Sequence, residues 1–253
     1  MPAVTVHLLP ELTSPERLAG GVVVIIDVLR ATTTIVQALA SGCQIVIPCL
    51  ELEEARKVAN ELPAGKVILG GERDSVKPIG FDLGNSPREY TSSLCRDTTL
   101  VLTTTNGTRA MLMARLAARV LIGAFVNFSA ICEQLKNEKR PIHILCAGHA
   151  GEIALEDTLL AGAIVDFLCE KEKISLNDAA RLAWDCFDLH GTILEGALEV
   201  CAGGMRLSAL GFNDDIKAAA RVDSLTLVPE LRFDPVRIEV NAIITGKNYW
   251  KWR

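Results

Sequence analysis

VVVIIDVLRATTTIVQAL (Val22 to Leu39) is the stretch that decides the fold. It begins with five Val and Ile residues in a row, which is typical of a strand covered by helices on both faces. A polar segment runs from Asp27 to Arg30, and apolar residues then recur with helical spacing at Ile35, Ala38 and Leu39. The stretch therefore predicts a strand, a polar loop and an amphipathic helix, the repeating unit of a parallel α/β sheet.

The same order of apolar strand, polar loop and helix occurs twice more, in LVLTTTNGTRAMLMARL (residues 100–116) and IHILCAGHAGEIALEDTLLAGAIVDFL (residues 142–168). The carboxyl ends of parallel strands lie at one edge of a sheet, beside helix N-termini, and ligands bind there. We therefore expect the polar residues after these three strands to share one crevice for a small anionic ligand. They are Asp27, Arg30, Thr32, Asn106, Thr108, Glu156 and Asp157.

The rest of the chain extends this pattern. Two short strands are predicted between residues 45 and 70, helices between residues 175 and 221, and closing strands at residues 225–228 and 236–244. The last of these, RIEVNAII, alternates imperfectly, which indicates an edge or mixed-direction strand. The predicted fold is α/β, with three α/β/α layers around a largely parallel or mixed central sheet, in one domain over residues 1–253.

The charge and composition of the chain limit the kinds of molecule that it can bind. The net charge of −5 and the pI near 5.5 provide no positive field for nucleic acid or an anionic membrane, so a local site must hold an anionic ligand. No apolar run reaches the ~18 residues that span a bilayer, and the N-terminus lacks the basic start of a signal peptide. Eight cysteines without CxxC or zinc spacing indicate a reducing cytoplasm. The Ala-rich second half could form core or a self-interface, so homo-oligomerisation stays open.

The loop DVLRATTT (residues 27–34) carries the strongest local signal. An aspartate at the end of a buried strand is costly unless it is paired, hydrogen-bonded or bound to a metal. Arg30 offers a planar fork for a phosphate or carboxylate, and the threonines and backbone amides of the starting helix add donors. The alternative is structural, with an Asp27–Arg30 ion pair and threonines that cap the helix.

TTTNGT (residues 103–108) contains Asn-Gly, the leading signal for a type I′ hairpin turn. Helical spacing follows it, however, which favours a strand-to-helix loop in which Gly107 lets the backbone approach a ligand closely. Asn106 would orient a phosphoryl oxygen or a metal-bound water. Alternatively, Asn106 or Thr108 caps the helix, and the two roles are compatible.

Two other segments supply candidates. GGER (residues 70–73) and GFDLGNSP (residues 80–87) place Glu72, Arg73 and Asn85 beside a predicted strand end, although a solvated role for Arg73 is equally open. CAGHAG, followed by Glu156 and Asp157, offers carboxylates and a loop histidine, His149. Adjacent helical residues point ~100° apart, so one metal would take one of the two acids. Both acids could instead complement the helix dipole, and His149 is either a general acid or an ordinary loop residue.

Several phosphatase and hydrolase chemistries are excluded by spacing. Asp27 is followed by Leu29 where an aspartyl-phosphate enzyme needs a second aspartate, and no Cys-x5-Arg is present. Neither a GxxxxGK phosphate loop nor a GxSxG elbow occurs. Metal-activated water is the economical mechanism that remains for a phosphatase.

Taken in this order, DVLRATTT, GGER, GFDLGNSP, TTTNGT and CAGHAG…ED resemble the 2-phosphosulfolactate phosphatase (ComB) family. The resemblance implies that family's α/β fold and Mg²⁺-dependent hydrolysis of 2-phosphosulfolactate to sulfolactate and phosphate, a step of coenzyme M biosynthesis. It points to a site made of the following residues: Asp27, Arg30, Glu72, Arg73, Asn85, Asn106, Thr108, Glu156 and Asp157.

A mechanistic hypothesis follows from the resemblance. Mg²⁺ is held by Asp27 and by Glu156 or Asp157, and a carboxylate such as Glu72 orients the attacking water. The phosphate and the rest of the substrate are bound by Arg30, Thr32, Arg73, Asn85, His149 and the backbone at Gly107 and Thr108. A basic side chain from residues 72–88 meets the sulfonate or carboxylate. The alternatives are a phosphatase for another small phosphorylated hydroxy acid and a non-catalytic sensor of such a metabolite.

Overall fold

A computed structural model describes residues 3–169 and 174–250, and ten strands within these ranges form one sheet. The strands are β1 (Ala3–His7), β2 (Val22–Ile26), β3 (Ile45–Cys49), β4 (Val67–Gly71), β5 (Thr99–Thr103), β6 (Arg119–Gly123), β7 (Ile142–Cys146), β8 (Ser175–Leu176), β9 (Leu227–Phe233) and β10 (Val236–Ile243). Their order across the sheet is β4-β5-β3-β10-β9-β6-β2-β7-β1-β8.

Helices follow most of the strands, and short 3₁₀ turns join several elements. The helices are α1 (Pro15–Leu18), α2 (Ala31–Ala40), α3 (Leu52–Glu61), α4 (Ser92–Cys95), α5 (Gly107–Met113), α6 (Phe128–Leu135), α7 (Leu155–Cys169), α8 (Asp178–His190), α9 (Leu194–Val200), α10 (Ala202–Ala209) and α11 (Asn213–Ala219). None of the helices in the described ranges is both long and apolar enough to cross a membrane.

The apolar run of β2 shows why the fold has three layers. Val22, Val24 and Ile26 pack into one core with residues of α6 and α7. Val23 and Ile25 pack into a second core with residues of α2 and α5. Because successive strand residues point to opposite faces, a strand that is apolar at every position must be covered on both. The predicted three-layer α/β/α arrangement around a mostly parallel sheet is confirmed.

The sheet contains two parallel groups that run in opposite directions. One group is β4-β5-β3 and the other is β6-β2-β7-β1-β8. Three antiparallel pairings, β3 with β10, β10 with β9 and β9 with β6, separate them. The carboxyl ends of all the parallel strands therefore do not lie along one edge, contrary to the sequence-based expectation. The polar loops after β2 and β5 still meet, because the backbone at Gly107 packs directly against Asp27.

The last strand, β10, lies at a different place in the sheet from the predicted one. The segment RIEVNAII belongs to β10, which lies inside the sheet between β3 and β9 and is antiparallel to both. The mixed direction is confirmed, but the edge position is wrong. The partnership with β3 is limited to Ile238 opposite Val46, so the short contact explains why the sequence alternates as imperfectly as an edge strand does.

Candidate active site

Asp27 ends β2 and is held by the first turn of α2. Its Oδ1 accepts the N–H of Ala31 at 3.1 Å, while the Thr32 hydroxyl bonds both the N–H and the carbonyl of Asp27, at 3.1 and 2.9 Å. Oδ2 accepts no hydrogen bond from the residues that the structure describes. The loop thus fixes a buried carboxylate, 8% exposed, with one oxygen left for a ligand.

Two further carboxylates lie behind Asp27. Asp157 accepts the N–H of Val28 at 2.8 Å with one oxygen and that of Gly148 at 3.1 Å with the other, so it joins the loops after β2 and β7. Burial, with the neighbouring charges of Asp27 and Glu156, raises the pKa of Asp157 well above its usual value. Burial also raises the pKa of Asp27, with Glu72 and Glu156 adding to the effect. This crowd of acids favours a proton or a cation beside Asp27.

Arg30 is 4% exposed and pairs with Asp215 instead of Asp27. Its Nη1 donates to Asp215 Oδ2 at 2.7 Å, its Nη2 donates to the carbonyl of Ser75 at 2.8 Å, and its guanidinium carbon lies 4.5 Å from the centre of the Phe212 ring. Ser86 donates to the other oxygen of Asp215 at 2.6 Å. The alternative of an Asp27–Arg30 ion pair is therefore wrong, because a residue 185 positions away neutralises the arginine.

Glu72 joins the loops that follow β4 and β5. Its Oε1 accepts the N–H and the hydroxyl of Thr105 at 2.8 and 2.9 Å, and its Oε2 accepts the N–H of Ser75 at 2.9 Å. An ionised carboxylate has about four lone-pair sites. Three of them are used here, so Glu72 can still accept one hydrogen bond from a bound water.

A tight turn carries Ser75 to the centre of the site. The backbones of Arg73 and Val76 bond each other in both directions at 3.0 Å, and Asp74 and Ser75 between them have φ of 53° and 67°. Both central residues of a type I′ turn have positive φ. The turn places the Ser75 backbone against Arg30 and Glu72, so three loops are connected through one residue.

The start of α5 comes unusually close to Asp27. A side chain added at Gly107 would lie 2.7 Å from the Ala31 side chain and 2.8 Å from Asp27 Oδ2. Gly107 therefore permits contact between two loops of the protein. Asn106 precedes the helix, so the hairpin alternative for Asn-Gly is wrong. The Asn106 amide nitrogen lies 3.5 Å from His149 Nδ1, which brings the loops after β5 and β7 together.

These side chains surround a cavity of about 100 Å³, which we call the Asp27 cavity. Its lining residues are Asp27, Leu29, Arg30, Glu72, Asp74, Ser75, Asn85, Thr104, Thr105, Asn106, His149, Ala150 and Arg206. Six residues singled out in the sequence are among them, from five separate segments: Asp27, Arg30, Glu72, Asn85, Asn106 and His149.

Six other predicted site residues do not line the cavity: Thr32, Arg73, Gly107, Thr108, Glu156 and Asp157. The Thr32 hydroxyl is bound to the Asp27 backbone, and the Thr108 N–H bonds Thr104 at 3.2 Å. Arg73 donates to the carbonyls of Glu72 and Leu50 and to the Thr103 hydroxyl, so it joins strand ends outside the cavity. Thr32, Thr108 and Asp157 instead hold the loops that surround the cavity. The predicted direct contacts of Arg73 with a ligand, and of Glu156 and Asp157 with a cavity metal, lack support from their positions.

Sequence reasoning missed Ser75, Arg206 and the pairing of Arg30 with Asp215. Arg206 lies in α10, where its Nε donates to the Ser75 hydroxyl at 3.2 Å. Because Arg206 does not follow a strand, the search for polar residues at strand ends could not indicate it. Asp215 lies 185 residues along the chain from Arg30, and no spacing rule connects the two.

The residues present fit a magnesium ion that is shared with a ligand. Asp27 has a free oxygen among like charges, and Asn85 Oδ1, which also belongs to the cavity lining, is buried without a hydrogen-bond partner in the described residues. Within those residues, no three His, Cys, Asp or Glu side chains are arranged to hold a metal by themselves. Mg²⁺ is usually held by one or two carboxylates together with waters and substrate phosphate. Asp27 fits such a site. The predicted second metal ligand, Glu156 or Asp157, does not fit it, because neither residue lines the cavity.

Comparison with known proteins gives a consistent result. The family described as 2-phosphosulpholactate phosphatase matches residues 7–233. A protein of Symbiobacterium thermophilum named "Probable 2-phosphosulfolactate phosphatase" is 40% identical over 215 residues, which cover 85% of this chain and 92% of that protein. Proteins with the same name from Thermotoga petrophila and Pseudothermotoga lettingae are 42% and 39% identical over 82% and 89% of this chain, and 88% and 94% of their own lengths. The chain therefore belongs to the 2-phosphosulfolactate phosphatase family of phosphoric monoester hydrolases.

Proposed function

We propose that this chain hydrolyses 2-phosphosulfolactate to sulfolactate and phosphate in a Mg²⁺-dependent reaction, the type of step that occurs in coenzyme M biosynthesis. The family and the names of its relatives support this substrate. The observation that carries the proposal is that Asp27 and Arg30, from one loop, line the same small cavity. A carboxylate for a divalent cation and a guanidinium for a phosphoryl group are what a metal-assisted phosphatase needs.

Arg30 binds the phosphoryl group. A guanidinium has five N–H donors, and Asp215 and the Ser75 carbonyl each take one. The remaining donors are available to phosphoryl oxygens, and the Phe212 ring and Asp215 fix the plane of the guanidinium. Because this orientation exists before the substrate arrives, little entropy is lost when the phosphate binds.

Asp27 is the residue that holds the metal, and Asn85, whose buried Oδ1 has no hydrogen-bond partner in the described residues, is a candidate for an additional oxygen ligand or for orienting a metal-bound water. A Mg²⁺ ion held by Asp27 would supply neutralisation of the charge that develops on the phosphoryl oxygens. The surrounding carboxylates of Asp157 and Glu156 strengthen the preference of this position for a cation.

Glu72 acts on the attacking water, and His149 acts as the general acid for the leaving group. Glu72 Oε2 has a lone pair left to orient the attacking water and to accept its proton as the water oxygen forms the new bond to phosphorus. The bond between phosphorus and the substrate oxygen breaks, and His149, which lines the cavity from the loop after β7, donates the proton that this oxygen needs to leave as an alcohol. Asn106, 3.5 Å from His149 Nδ1, orients the imidazole.

A substrate panel tests the proposal. Phosphate release is measured from 2-phosphosulfolactate, phospholactate and phosphoglycerate, each with Mg²⁺ and each in excess chelator. We expect the highest kcat/KM for 2-phosphosulfolactate and a large loss with chelator. A higher kcat/KM for another compound would transfer the proposal to that hydroxy acid. Ligand binding without turnover at any Mg²⁺ concentration would instead identify a sensor, and full activity in chelator would remove the metal role.

A further inference from the structure

Arg206 is the cation of the Asp27 cavity that the protein leaves least engaged. Arg30 is buried, paired with Asp215 at 2.7 Å and stacked on Phe212. Arg206, by contrast, makes one hydrogen bond to the Ser75 hydroxyl at 3.2 Å, and its Nη2 lies 3.7 Å from Asp74, with a side chain 40% exposed. Asp74 is itself almost fully exposed. The Nη groups of Arg206 are therefore available to a ligand in the cavity.

Close packing of α10 fixes the position of this arginine. The helix begins at Cys201, whose sulfur accepts the N–H of Gly204 at 3.2 Å. The backbone at Gly203 lies directly against the Glu156 carboxylate, where an added side chain would collide with it. The last turn of α10 thus carries Arg206 to the mouth of the cavity, on a different segment from Arg30.

The charges of the substrate class require a second cation. A phosphorylated hydroxy acid carries a carboxylate, and in 2-phosphosulfolactate also a sulfonate, besides its phosphoryl group. The basic residues of the loop between Glu72 and Arg88 cannot provide it, because Arg73, Lys77 and Arg88 do not line the cavity and are bonded elsewhere.

We infer that Arg206 binds the second acid group of the substrate and so determines specificity for phosphorylated acids over simple phosphate monoesters. This inference rests on the proposed phosphatase function. Arg30, which is buried and paired with Asp215, takes the phosphoryl group, and the more exposed Arg206 takes the carboxylate or sulfonate. A guanidinium suits this task, since its planar fork matches either acid group with two parallel hydrogen bonds.

A series of three substrates with an increasing number of acid groups tests whether Arg206 binds the second acid group. Isopropyl phosphate has no second acid group, 2-phospholactate has a carboxylate, and 2-phosphosulfolactate has both a carboxylate and a sulfonate. We measure kcat/KM on all three for the wild-type protein and for the variants Arg206→Gln, Arg206→Lys and Arg221→Gln. Arg221, which lines a separate cavity, is the matched control. Thermal unfolding of each variant checks its fold.

For Arg206→Gln we expect kcat/KM on the acid-bearing substrates to fall about 10- to 100-fold more than on isopropyl phosphate, since a charge-assisted hydrogen bond pair is lost. Arg206→Lys keeps the charge without the fork and falls less, while Arg221→Gln retains the wild-type ratio. A loss that begins with 2-phospholactate identifies the carboxylate as the group that Arg206 binds, and a loss confined to 2-phosphosulfolactate identifies the sulfonate.

Equal losses on all three substrates in an active, folded Arg206→Gln protein would overturn the inference and leave the phosphatase proposal standing. If Arg206→Gln does not fold, Arg206→Lys decides, and a wild-type ratio in that variant overturns the inference. A wild-type protein that releases phosphate from none of the three compounds would refute the proposed function, and the inference with it. Inhibition by sulfolactate gives a second readout, which Arg206→Gln must weaken more than inhibition by inorganic phosphate.

Discussion

At the scale of single residues, the site is a balance of buried charges. Asp27, Asp157 and Glu156 crowd together, while the one deeply buried arginine of the cavity, Arg30, is already matched by Asp215. Such an arrangement stores unfavourable free energy in the metal-free protein, because carboxylates repel one another where water cannot screen them. Functional sites commonly carry costs of this kind, which the rest of the fold offsets.

Asp27→Asn is expected to reduce turnover of 2-phosphosulfolactate by about 100-fold or more, since several kcal/mol of metal-dependent stabilisation depend on this carboxylate. The hydrogen bond from Ala31 survives, because the asparagine carbonyl accepts it equally well. Without Mg²⁺ the variant should unfold at the same temperature as the wild-type protein or a higher one, because one buried charge is gone. Phosphate release, Mg²⁺ titration calorimetry and thermal unfolding measure these quantities.

Asp178→Asn is the matched control for that substitution, since Asp178 is an exposed residue in the first turn of α8. It should leave turnover unchanged. Full turnover by the Asp27→Asn protein, or unaltered Mg²⁺ affinity, would remove Asp27 from the metal site.

At the scale of elements, the contact between α5 and the loop after β2 depends on a missing side chain. Gly107→Ala would place a methyl group 2.7 Å from Ala31 and 2.8 Å from Asp27 Oδ2. We expect a loss of about 1–3 kcal/mol in the free energy of unfolding, together with reduced turnover, because the helix must move away from the cavity. Urea denaturation and phosphate release measure the two effects.

Gly196 provides the comparison, because it lies within α9 and an added side chain would meet nothing within 4 Å. Gly196→Ala should stabilise the protein by a few tenths of a kcal/mol to about 1 kcal/mol, as removal of a helical glycine usually does. If Gly107→Ala proves as harmless as this control, α5 does not approach Asp27 as described.

The connection between the two parallel groups relies on Glu230 in β9. This residue is 1% exposed and accepts hydrogen bonds from Arg119 of β6 at 2.9 and 3.3 Å, and Arg232 lies 2.7 Å away. Glu230→Gln would leave Arg119 without its carboxylate partner and Arg232 with only its 3.5 Å contact to Glu239, at an expected cost of about 2–4 kcal/mol. Chemical denaturation checks this value, with Glu239→Gln as the control, because Glu239 is partly exposed and its loss should cost less than about 1 kcal/mol.

At the scale of the whole molecule, acid stability should reflect a buried histidine pair. His7 Nε2 and His143 Nδ1 lie 3.2 Å apart. Burial, with His143 and Arg17 nearby, lowers the pKa of His7 from 6.5 to about 4, and burial likewise lowers the pKa of His143. The unfolded chain therefore binds more protons than the folded protein between about pH 6.5 and pH 4. The contribution of this pair to folding stability is complete above this range and falls as the pH drops through it, whereas the raised pKa values of Asp27 and Asp157 act in the opposite direction.

Between pH 7.5 and pH 5 we expect the wild-type protein to lose about 1–3 kcal/mol more in its free energy of unfolding than His7→Asn does, measured by urea denaturation. The matched variant His190→Asn, at the end of α8, should follow the wild-type protein. An equal pH dependence in all three proteins would contradict the assignment to the buried pair.

The sequence predicts the features that depend on residues close together in the chain, and it fails for those that depend on contacts between distant segments. The strand of Val22 to Ile26 and the helix after it follow from local periodicity, and the polar residues at strand ends correctly located Asp27, Asn106 and His149 at one cavity. The opposite direction of the two parallel groups arises from the β9–β10 hairpin, whose pairing partners are not encoded in any local pattern. Arg206 reaches the cavity only through the packing of α10, so no motif could have indicated it.

The central claim is that distant segments converge on the Asp27 cavity to bind a divalent cation and a phosphorylated acid. A crystal structure of the protein soaked with Mg²⁺ and sulfolactate tests it most directly. We predict density for the metal on Asp27 and for the carboxylate or sulfonate of sulfolactate beside Arg206. A metal bound away from Asp27, or sulfolactate seated in the separate cavity beside Arg88 and Arg221, would contradict the claim.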